Sequence, residues 1–324
     1  MNNRRKFIKT VGAGVAVSAI APTVLANSFG EEKKLVIGII GAENSHSRGY
    51  GKVFNIEKKF PGVELKYIWG ETDAFAKRSM KEGRIPIQVK DPAEMMGKID
   101  ALIVDHRHAK YHLPAATPFV KAGIPTFVDK PFCYRAAEGK EFLEMAHKTG
   151  TPVTSYSSIA HSAGTLDMKA QLAEMGHINQ VVRTGTVDLD SKYGGVFFYG
   201  VHLVQPLLEM FGEDVEEVRI NRDGQYGNAS LKFSSGLFAT LIFKRKAYGW
   251  QTYVETDKQF VELKSRVEEP EIPLNDASMI EMFRTGKLPR TYQSILNNVS
   301  VLEALEKSAQ TENWTEVKYE KLDF

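Results

Sequence analysis

One short segment places a lysine where its charge could act on a bound ligand. Lys130 stands between Asp129 and Pro131, directly after the apolar residues Phe127 and Val128. The apolar run predicts a buried strand, and the proline fixes the turn and holds the residue before it extended. Lys130 would then be oriented by the backbone at the mouth of the strand, where a fixed ammonium can stabilise charge that develops on an oxygen. The alternative is a salt bridge to an acid at the sheet edge.

A second polar loop, GAENSH, follows the apolar run Leu35–Ile40. In the dinucleotide fingerprint GxGxxG, the three glycines serve a tight turn, close approach of the backbone to pyrophosphate, and helix–strand packing. Gly41 keeps the first position, whereas Glu43 and His46 replace the other two. A carboxylate beside a diphosphate is repulsive unless it turns away, so a turn that binds no nucleotide is the alternative. The predicted cofactor contacts in this loop are Gly41, Ala42, Asn44, Ser45 and His46.

An acid follows the second predicted strand, about thirty residues after Gly41. This is Glu71, and a carboxylate at this place suits hydrogen bonds to a ribose 2′-hydroxyl and disfavours a 2′-phosphate. We therefore count Glu71 among the cofactor contacts, with an exposed loop acid as the alternative.

Three histidines fall within seven residues after the third strand, at 106, 108 and 112. Histidine clusters suggest metal ligation. A strand-to-helix loop would point these side chains in different directions, so we predict hydrogen-bonding, solvent-facing loop residues and no metal site. The remaining predicted cofactor contacts at the strand ends are Asp105, His108, Asp129 and Lys130.

These residues require a scaffold in which several strand ends meet. Between residues 34 and 155, continuous apolar runs alternate with helical stretches, several of which end in glycine. This pattern predicts a Rossmann-like, doubly wound parallel sheet with both faces covered. Ligands of such sheets bind beyond the carboxyl ends of the strands, near the switch in strand order, which is where the four polar loops fall.

The second half of the chain has longer, alternating strands in succession, separated by turn residues. Four helical stretches flank them, and the last is a candidate to return to the first domain. We predict an α+β domain over residues 156–324, with an open, largely antiparallel sheet.

Composition excludes several classes of protein. The chain has 324 residues, enough for about two domains. Its 42 basic and 40 acidic residues argue against a nucleic-acid partner. The single cysteine, Cys133, excludes a disulfide framework and a cysteine-based zinc site.

The first 30 residues are of a different kind. Arg4 and Arg5 precede a modest apolar run rich in alanine and glycine, and small residues at 24–26 could serve cleavage. We predict a twin-arginine signal peptide and linker over residues 1–30, export to the periplasm by the twin-arginine machinery, and no stable membrane span after signal removal. A membrane anchor is the alternative, but the run is too short and weakly apolar for one.

Taken together, the motifs resemble the Gfo/Idh/MocA (glucose–fructose oxidoreductase/inositol dehydrogenase) family. The resemblance rests on VIGIIG, AGIPTFVDKP, GTPVTSYSS and GGVFFYGVHLVQPLLEMFG, and covers nearly the whole chain after the signal. It implies that Lys130 lies between nicotinamide and substrate and that His202 is the acid/base. The family's aspartate four residues before this histidine is Phe198 here, and the one three residues after it is Gln205, as in a divergent branch.

The resemblance implies an NAD(P)-dependent oxidoreductase that acts on a hydroxyl of a sugar, cyclitol or glycoside. Histidine suits removal of the hydroxyl proton while hydride leaves the carbon, and Tyr193 or Tyr199 is a candidate to replace the missing aspartate. Because free NAD is scarce outside the cytoplasm, we expect the NAD to be tightly bound. An open antiparallel sheet often supports dimers in such folds, so we also expect a homo-oligomer. The alternatives are a cofactor-recycling or non-redox carbohydrate enzyme on the same scaffold, and an inactive binding protein in which His202 is a core residue.

Overall fold

The computed structural model describes residues 34–324; the predicted signal peptide and linker lie outside this range. The first domain is built on six strands: β1 (Leu35–Ile40), β2 (Val63–Trp69), β3 (Ile87–Gln88), β4 (Ala101–Val104), β5 (Thr126–Val128) and β6 (Val153–Thr154). Their order is β3-β2-β1-β4-β5-β6, and every pair is parallel. The predicted Rossmann-like sheet is confirmed, and its order switches between β1 and β4.

Helices cover both faces of this sheet. They are α1 (His46–Gly51), continued by a π-helical turn at Lys52–Ile56, then α2 (Asp73–Gly83), α3 (His112–Lys121) and α4 (Ala136–Lys148). Short 3₁₀ turns lie at Pro92–Met95 and Ala109–Tyr111. The continuous apolar centres of β1, β4 and β5 are buried between the helical layers, as expected for strands covered on both faces.

The second domain is built on a seven-stranded sheet. Its strands are β7 (Ile178–Thr186), β8 (Val215–Asp223), β9 (Tyr226–Phe233), β10 (Phe238–Lys244), β11 (Gln251–Thr256), β12 (Phe260–Leu263) and β13 (Thr315–Glu316). The order is β12-β11-β7-β10-β9-β8-β13, in which only β7 and β10 pair in parallel. The prediction of a largely antiparallel sheet is therefore confirmed, with one parallel pair at its centre.

Four helices accompany this sheet: α5 (Ala163–Leu172), α6 (Val196–Phe211), α7 (Leu274–Thr285) and α8 (Tyr292–Thr311). Helix α6 is buried against the sheet and carries His202 into the interior. Helix α8 contributes Ile295, Leu296 and Val299 to the core between the first sheet and α4, so the expected return of the last helix to the first domain is confirmed. Helix α7 likewise packs Met279 and Phe283 into the first domain.

Two strands are shorter than the stretches of sequence that a strand could occupy there. The run from Thr151 to Ser158 pairs with β5 only through Val153 and Thr154, and the residues after them form a loop. The third strand ends at Val104, so Asp105 to His108 are loop residues. Both shortened ends leave polar side chains free to face the cleft. Within residues 34–324, no helix combines the length and hydrophobicity needed to cross a bilayer.

Candidate functional site

Gly41 lets the first loop lie directly against the loop after β4. Its φ is +113°, and a Cβ placed there would come within 2.5 Å of the backbone carbonyl carbon of Asp105. Any side chain would therefore collide with backbone and would also be strained at this φ. At the first of the three fingerprint positions, the local geometry therefore requires glycine.

Glu71 holds the same loop from the β2 side. Its carboxylate accepts hydrogen bonds from the backbone N–H groups of Ala42 (2.9 Å) and Glu43 (3.0 Å). It also lies 2.8 Å from the Nδ1 atom of His106. Burial opposes ionisation, but the bonds from His106 and the loop amide hold the pKa of Glu71 below its usual range. Glu71 is thus a fixed carboxylate beneath the first turn, not an exposed loop acid.

A charged cluster joins the ends of β1, β4 and β5. The Asn44 amide donates to Asp105 Oδ1 and to Asp129 Oδ2, each at 2.9 Å. The His46 Nδ1 atom lies 3.2 Å from Asp129 Oδ2 and 3.5 Å from Asp105 Oδ1. His46 therefore occupies the third glycine position as an ion-pair partner of two carboxylates.

The proton affinities in this cluster follow from its burial and charge. Burial opposes a charge on His46, but Asp129 and Asp105 raise the pKa of its imidazole to about 10. Burial, with the nearby charge of Asp129, raises the pKa of Asp105 to about 6. Burial also acts against ionisation of Asp129, yet His46 and Lys130 lower the pKa of that carboxyl. At neutral pH the cluster holds an imidazolium between two carboxylates.

The three histidines after β4 do not converge on one point. The His106 ring contacts Glu71, His108 lies 3.0 Å from the Tyr134 hydroxyl, and the His112 ring is buried between the carbonyl groups of Pro131 and His106. Burial lowers the pKa of His112. They make the predicted hydrogen bonds, but the prediction that they face solvent is wrong for His106 and for His112, which are buried, and His112 begins helix α3.

A different group has ligand atoms close enough to hold a metal ion. These are His46, Asp105 and Asp129, whose atoms lie within 4.8 Å of one another. Because Asn44 and the His46 imidazolium both approach Asp105 Oδ1 and Asp129 Oδ2, we interpret the group as an ion-pair network. The absence of a metal stays a prediction.

Lys130 and His202 are both buried and lie near one another. The Lys130 Nζ atom is 5.4 Å from the centroid of the Phe198 ring and 5.8 Å from that of the Tyr199 ring. Phe198 and Tyr199 precede His202 on α6 by four and three residues, about one helical turn. Burial lowers the pKa of His202 well below its usual value, and the Lys130 charge lowers it further. His202 is therefore a neutral imidazole at physiological pH, which is the form that can accept a proton.

The position of His202 is fixed by the loop after β6. Its Nδ1 atom lies 2.7 Å from the Ser157 hydroxyl oxygen, which also accepts from the Ile159 N–H. Gln205, one turn further along α6, accepts a 2.6 Å bond from the Ser157 N–H. A donated Nδ1–H to Ser157 would leave Nε2 as the acceptor. Gln205, which replaces a family aspartate, thus anchors the residue that orients the histidine.

A cavity of about 220 Å³ opens beside Lys130. Burial raises the pKa of Asp276, one of its lining residues, to about 6. The cavity is large enough for one small ring and offers both charged and aromatic surfaces. Its polar lining consists of His46, Asp129, Lys130, Ser158, Asn275 and Asp276, with Tyr50 and Tyr156 beside them.

Comparison with known proteins identifies the first domain. Residues 35–157 match the GFO_IDH_MocA family, described as an oxidoreductase family with an NAD-binding Rossmann fold. The resemblance to the Gfo/Idh/MocA family that the sequence predicted is thereby confirmed over these residues.

One curated relative and two solved structures show how far the likeness extends. The uncharacterized oxidoreductase YhhX of Escherichia coli (strain K12) is 26% identical over 167 residues, which are 46% of this chain and 48% of the relative. The chain thus matches about half the length of this relative. The myo-inositol dehydrogenase of Lactobacillus casei, solved with NAD(H) and myo-inositol, is 11% identical, with a TM-score of 0.74 over 89% of this chain and 98% of its own. The WlbA dehydrogenase of Bordetella pertussis, solved with NADH and UDP-GlcNAcA, is 16% identical, with a TM-score of 0.73 over 89% and 99%. Both structures share the fold of the Gfo/Idh/MocA domain and of the second domain.

The structure brings most of the predicted site residues together. Loop residues Gly41, Ala42, Asn44 and His46 join Glu71, Asp105 and Asp129 at the carboxyl ends of the strands. Lys130 and His202 both lie beside the Tyr199 ring. Two residues that we predicted to contact the cofactor lie apart from this group. Ser45 is exposed at the start of α1 and makes no capping bond, and His108 turns towards Tyr134.

Three residues in the cleft were not assigned these contacts from the sequence. Tyr193 donates a 2.5 Å hydrogen bond to the Glu43 carboxylate, so the second domain holds the side chain at the second glycine position. The Arg107 guanidinium lies 4.5 Å from the centroid of the Tyr193 ring and 5.3 Å from that of Phe198. Ser157 orients His202. In the sequence, Ser157 is marked only as a polar residue that follows a short strand. Nothing in the sequence indicates that Tyr193 pairs with Glu43.

Proposed function

We propose that the chain is an NAD(P)-dependent oxidoreductase that oxidises a hydroxyl of a sugar, cyclitol or glycoside, with Lys130 and His202 at the reaction centre. The observation that carries the proposal is that a buried lysine just after β5 and a buried, neutral histidine of α6 both lie beside the Tyr199 ring. The ligands bound by the two dehydrogenases of the same fold, NAD(H) with myo-inositol and NADH with a nucleotide sugar, support this class of substrate.

The residues of the first loop fit a nicotinamide nucleotide. Gly41 provides the tight turn, and Glu71 offers a fixed carboxylate to ribose hydroxyls. Glu43, which would repel a diphosphate, is bonded instead to Tyr193 of the second domain. Glu71 disfavours a 2′-phosphate, so we propose NAD rather than NADP.

Two residues have separate roles in the proposed reaction: one removes a proton and the other stabilises charge. When bound, the nicotinamide supplies the hydride acceptor. His202 takes the hydroxyl proton on Nε2 while Ser157 holds its other ring nitrogen. The Lys130 ammonium stabilises the alkoxide as it forms, and burial of both groups strengthens this interaction.

Three further properties are proposals as well. The amino-terminal sequence supports export by the twin-arginine route, and a protein that works outside the cytoplasm would need to hold its nucleotide tightly. Exposed apolar residues on the second sheet, Phe238, Ile242 and Phe260, support a homo-oligomer.

The test is nucleotide reduction by the purified chain. Sugars and cyclitols are added with NAD⁺, and the absorbance of reduced nicotinamide is followed. Lys130→Ala should abolish reduction while its unfolding temperature stays close to that of the wild type; Lys121→Ala, an exposed lysine in the same domain, is the control. An unchanged rate in Lys130→Ala would overturn the role of Lys130, and no nucleotide binding would favour an inactive binding protein.

A further inference from the structure

Arg183 is a buried cation whose charge is not balanced by any residue that the structure describes. It lies in the centre of β7, is 2% exposed, and among residues 34–324 makes no ion pair with a carboxylate. A guanidinium has five N–H donors. In the described chain, Nη1 donates to the Thr252 hydroxyl at 2.6 Å, Nη2 reaches the His202 carbonyl at 3.5 Å, and Nε has no partner.

An arrangement of this kind is unfavourable for the protein alone. Taking an ion out of water costs several kcal/mol unless a counter-charge and hydrogen bonds compensate it. Burial lowers the pKa of Arg183 to about 10, so the guanidinium still carries its charge at neutral pH. Three of its N–H donors remain for an acceptor that is not part of the described chain.

A cavity of about 290 Å³ lies against Arg183, so that such an acceptor has room. Gln251 and Thr252 line it, and their amide and hydroxyl groups can donate to an oxyanion, whereas the Ser162 and Thr165 hydroxyls already donate to the Ile159 carbonyl. Glu262 also lines the cavity, but its carboxylate is paired with Lys264 at 2.8 Å.

The cavity is next to the proposed reaction centre. The ring of Trp250, which lines it, is 5.4 Å from the imidazole ring of His202, centroid to centroid. The Arg183 charge also contributes to lowering the pKa of His202. Because Arg183 itself reaches the His202 carbonyl, a ligand group that it holds would lie close to this residue.

We propose that Arg183 and its cavity bind an anionic group of the substrate, so that the substrate is a sugar acid or a phosphorylated sugar rather than a neutral sugar. This rests on the proposed function, because it assigns the substrate class of the same cleft. Planar, bidentate binding by arginine favours a carboxylate or a phosphate. Charge-assisted hydrogen bonds contribute about 1.5–3 kcal/mol, which predicts a preference for the acid of roughly tenfold to a hundredfold in kcat/KM.

The first experiment measures binding without turnover. The unfolding temperature of the wild type is recorded with D-glucuronate, D-glucose 6-phosphate, D-glucose and inorganic phosphate. At least one of the two anionic sugars should raise it, and glucose should not. Arg183→Met, which keeps the unbranched stem of the side chain without the guanidinium, should lose this response; Arg219→Met, at an exposed arginine of β8, should keep it.

The unliganded variants separate a ligand-binding role from a structural one. Without added anion, Arg183→Met should be at least as stable as the wild type, because an uncompensated buried charge has been removed. A large loss of stability would mean that the arginine serves the fold. A response that survives in Arg183→Met, or an equal response to glucose, would overturn the inference. A rise with inorganic phosphate alone and with neither sugar would overturn its assignment to the substrate.

The nucleotide-reduction assay then distinguishes this inference from the proposed function. NAD-dependent oxidation of neutral sugars, with no response to anions, overturns the anionic substrate class only. An Arg183-dependent response to sugar acids without any nucleotide reduction supports the anion site and overturns the oxidoreductase.

Discussion

Phe198→Asp restores the carboxylate that the family pattern places one helical turn before His202, and it should raise the pKa of that histidine. Residues 198 and 202 are i,i+4 neighbours on α6, so their side chains start about 5–6 Å apart. At 6 Å and an effective dielectric of about 20, two unit charges interact by about 3 kcal/mol, or about 2 pKa units. Lys130 and Arg107 both flank the Phe198 ring and would share the new charge, so we expect a rise of roughly 1–2 units.

The assay is the pH dependence of kcat/KM, supported by an NMR titration of the His202 ring. In the wild type, burial and Lys130 hold the pKa of His202 low, so the rate should stay flat from pH 8 down to about pH 6. In Phe198→Asp the acid limb should move to higher pH by roughly 1–2 units. Phe198→Asn, which has the same shape and no charge, should keep the wild-type limb. The same limb in both variants would refute the electrostatic account of His202.

The loop and the charged cluster provide three further predictions. Glu71→Gln keeps an acceptor for the loop amides but loses the charge, so the KM for NAD should rise about tenfold and the preference over NADP should shrink; equal changes for both nucleotides would contradict this role. Tyr193→Phe releases the Glu43 carboxylate towards the diphosphate, so NAD affinity, measured by calorimetry, should fall several-fold, and the loss should disappear in a Tyr193→Phe, Glu43→Gln double variant. His46 has a folded pKa raised to about 10, so its stabilisation is complete below its unfolded pKa near 6.5 and is lost as the pH rises towards 10. The difference in unfolding temperature between the wild type and His46→Gln should therefore shrink over this window from an initial few degrees, since half-exposed pairs contribute about 1 kcal/mol; a constant difference would show that the ion pairs do not stabilise the fold.

The fold could be predicted because its signals are local. Buried parallel strands such as β1 and β4 are continuous apolar runs, and glycine ends several of the helices. The pattern of apolar residues and the glycines between elements therefore indicate both strands and helices. The parallel pairing of β7 with β10 could not be read in this way, because it depends on which strands meet across the sheet. The short pairing at Val153 and Thr154 likewise depends on how far β5 extends beside it.

The candidate site was predictable where one strand end fixes one side chain. Lys130, Glu71 and Asp129 follow apolar runs directly, and the sheet brings their ends together. Contacts that cross between the domains could not be predicted. The pairing of Tyr193 with Glu43 joins residues 150 positions apart, and Arg183 looks like any charge in an alternating strand until its burial is known.

The most direct test of the central claim is a double-mutant cycle on Lys130 and His202, measured as the rate of nucleotide reduction. If the two side chains act on the same transition state, Lys130→Ala and His202→Ala should each lower kcat by roughly 10²–10⁴-fold, and the double variant should be little slower than the worse single variant. Losses that multiply in the double variant, or a single variant that keeps the wild-type rate, would contradict a shared reaction centre.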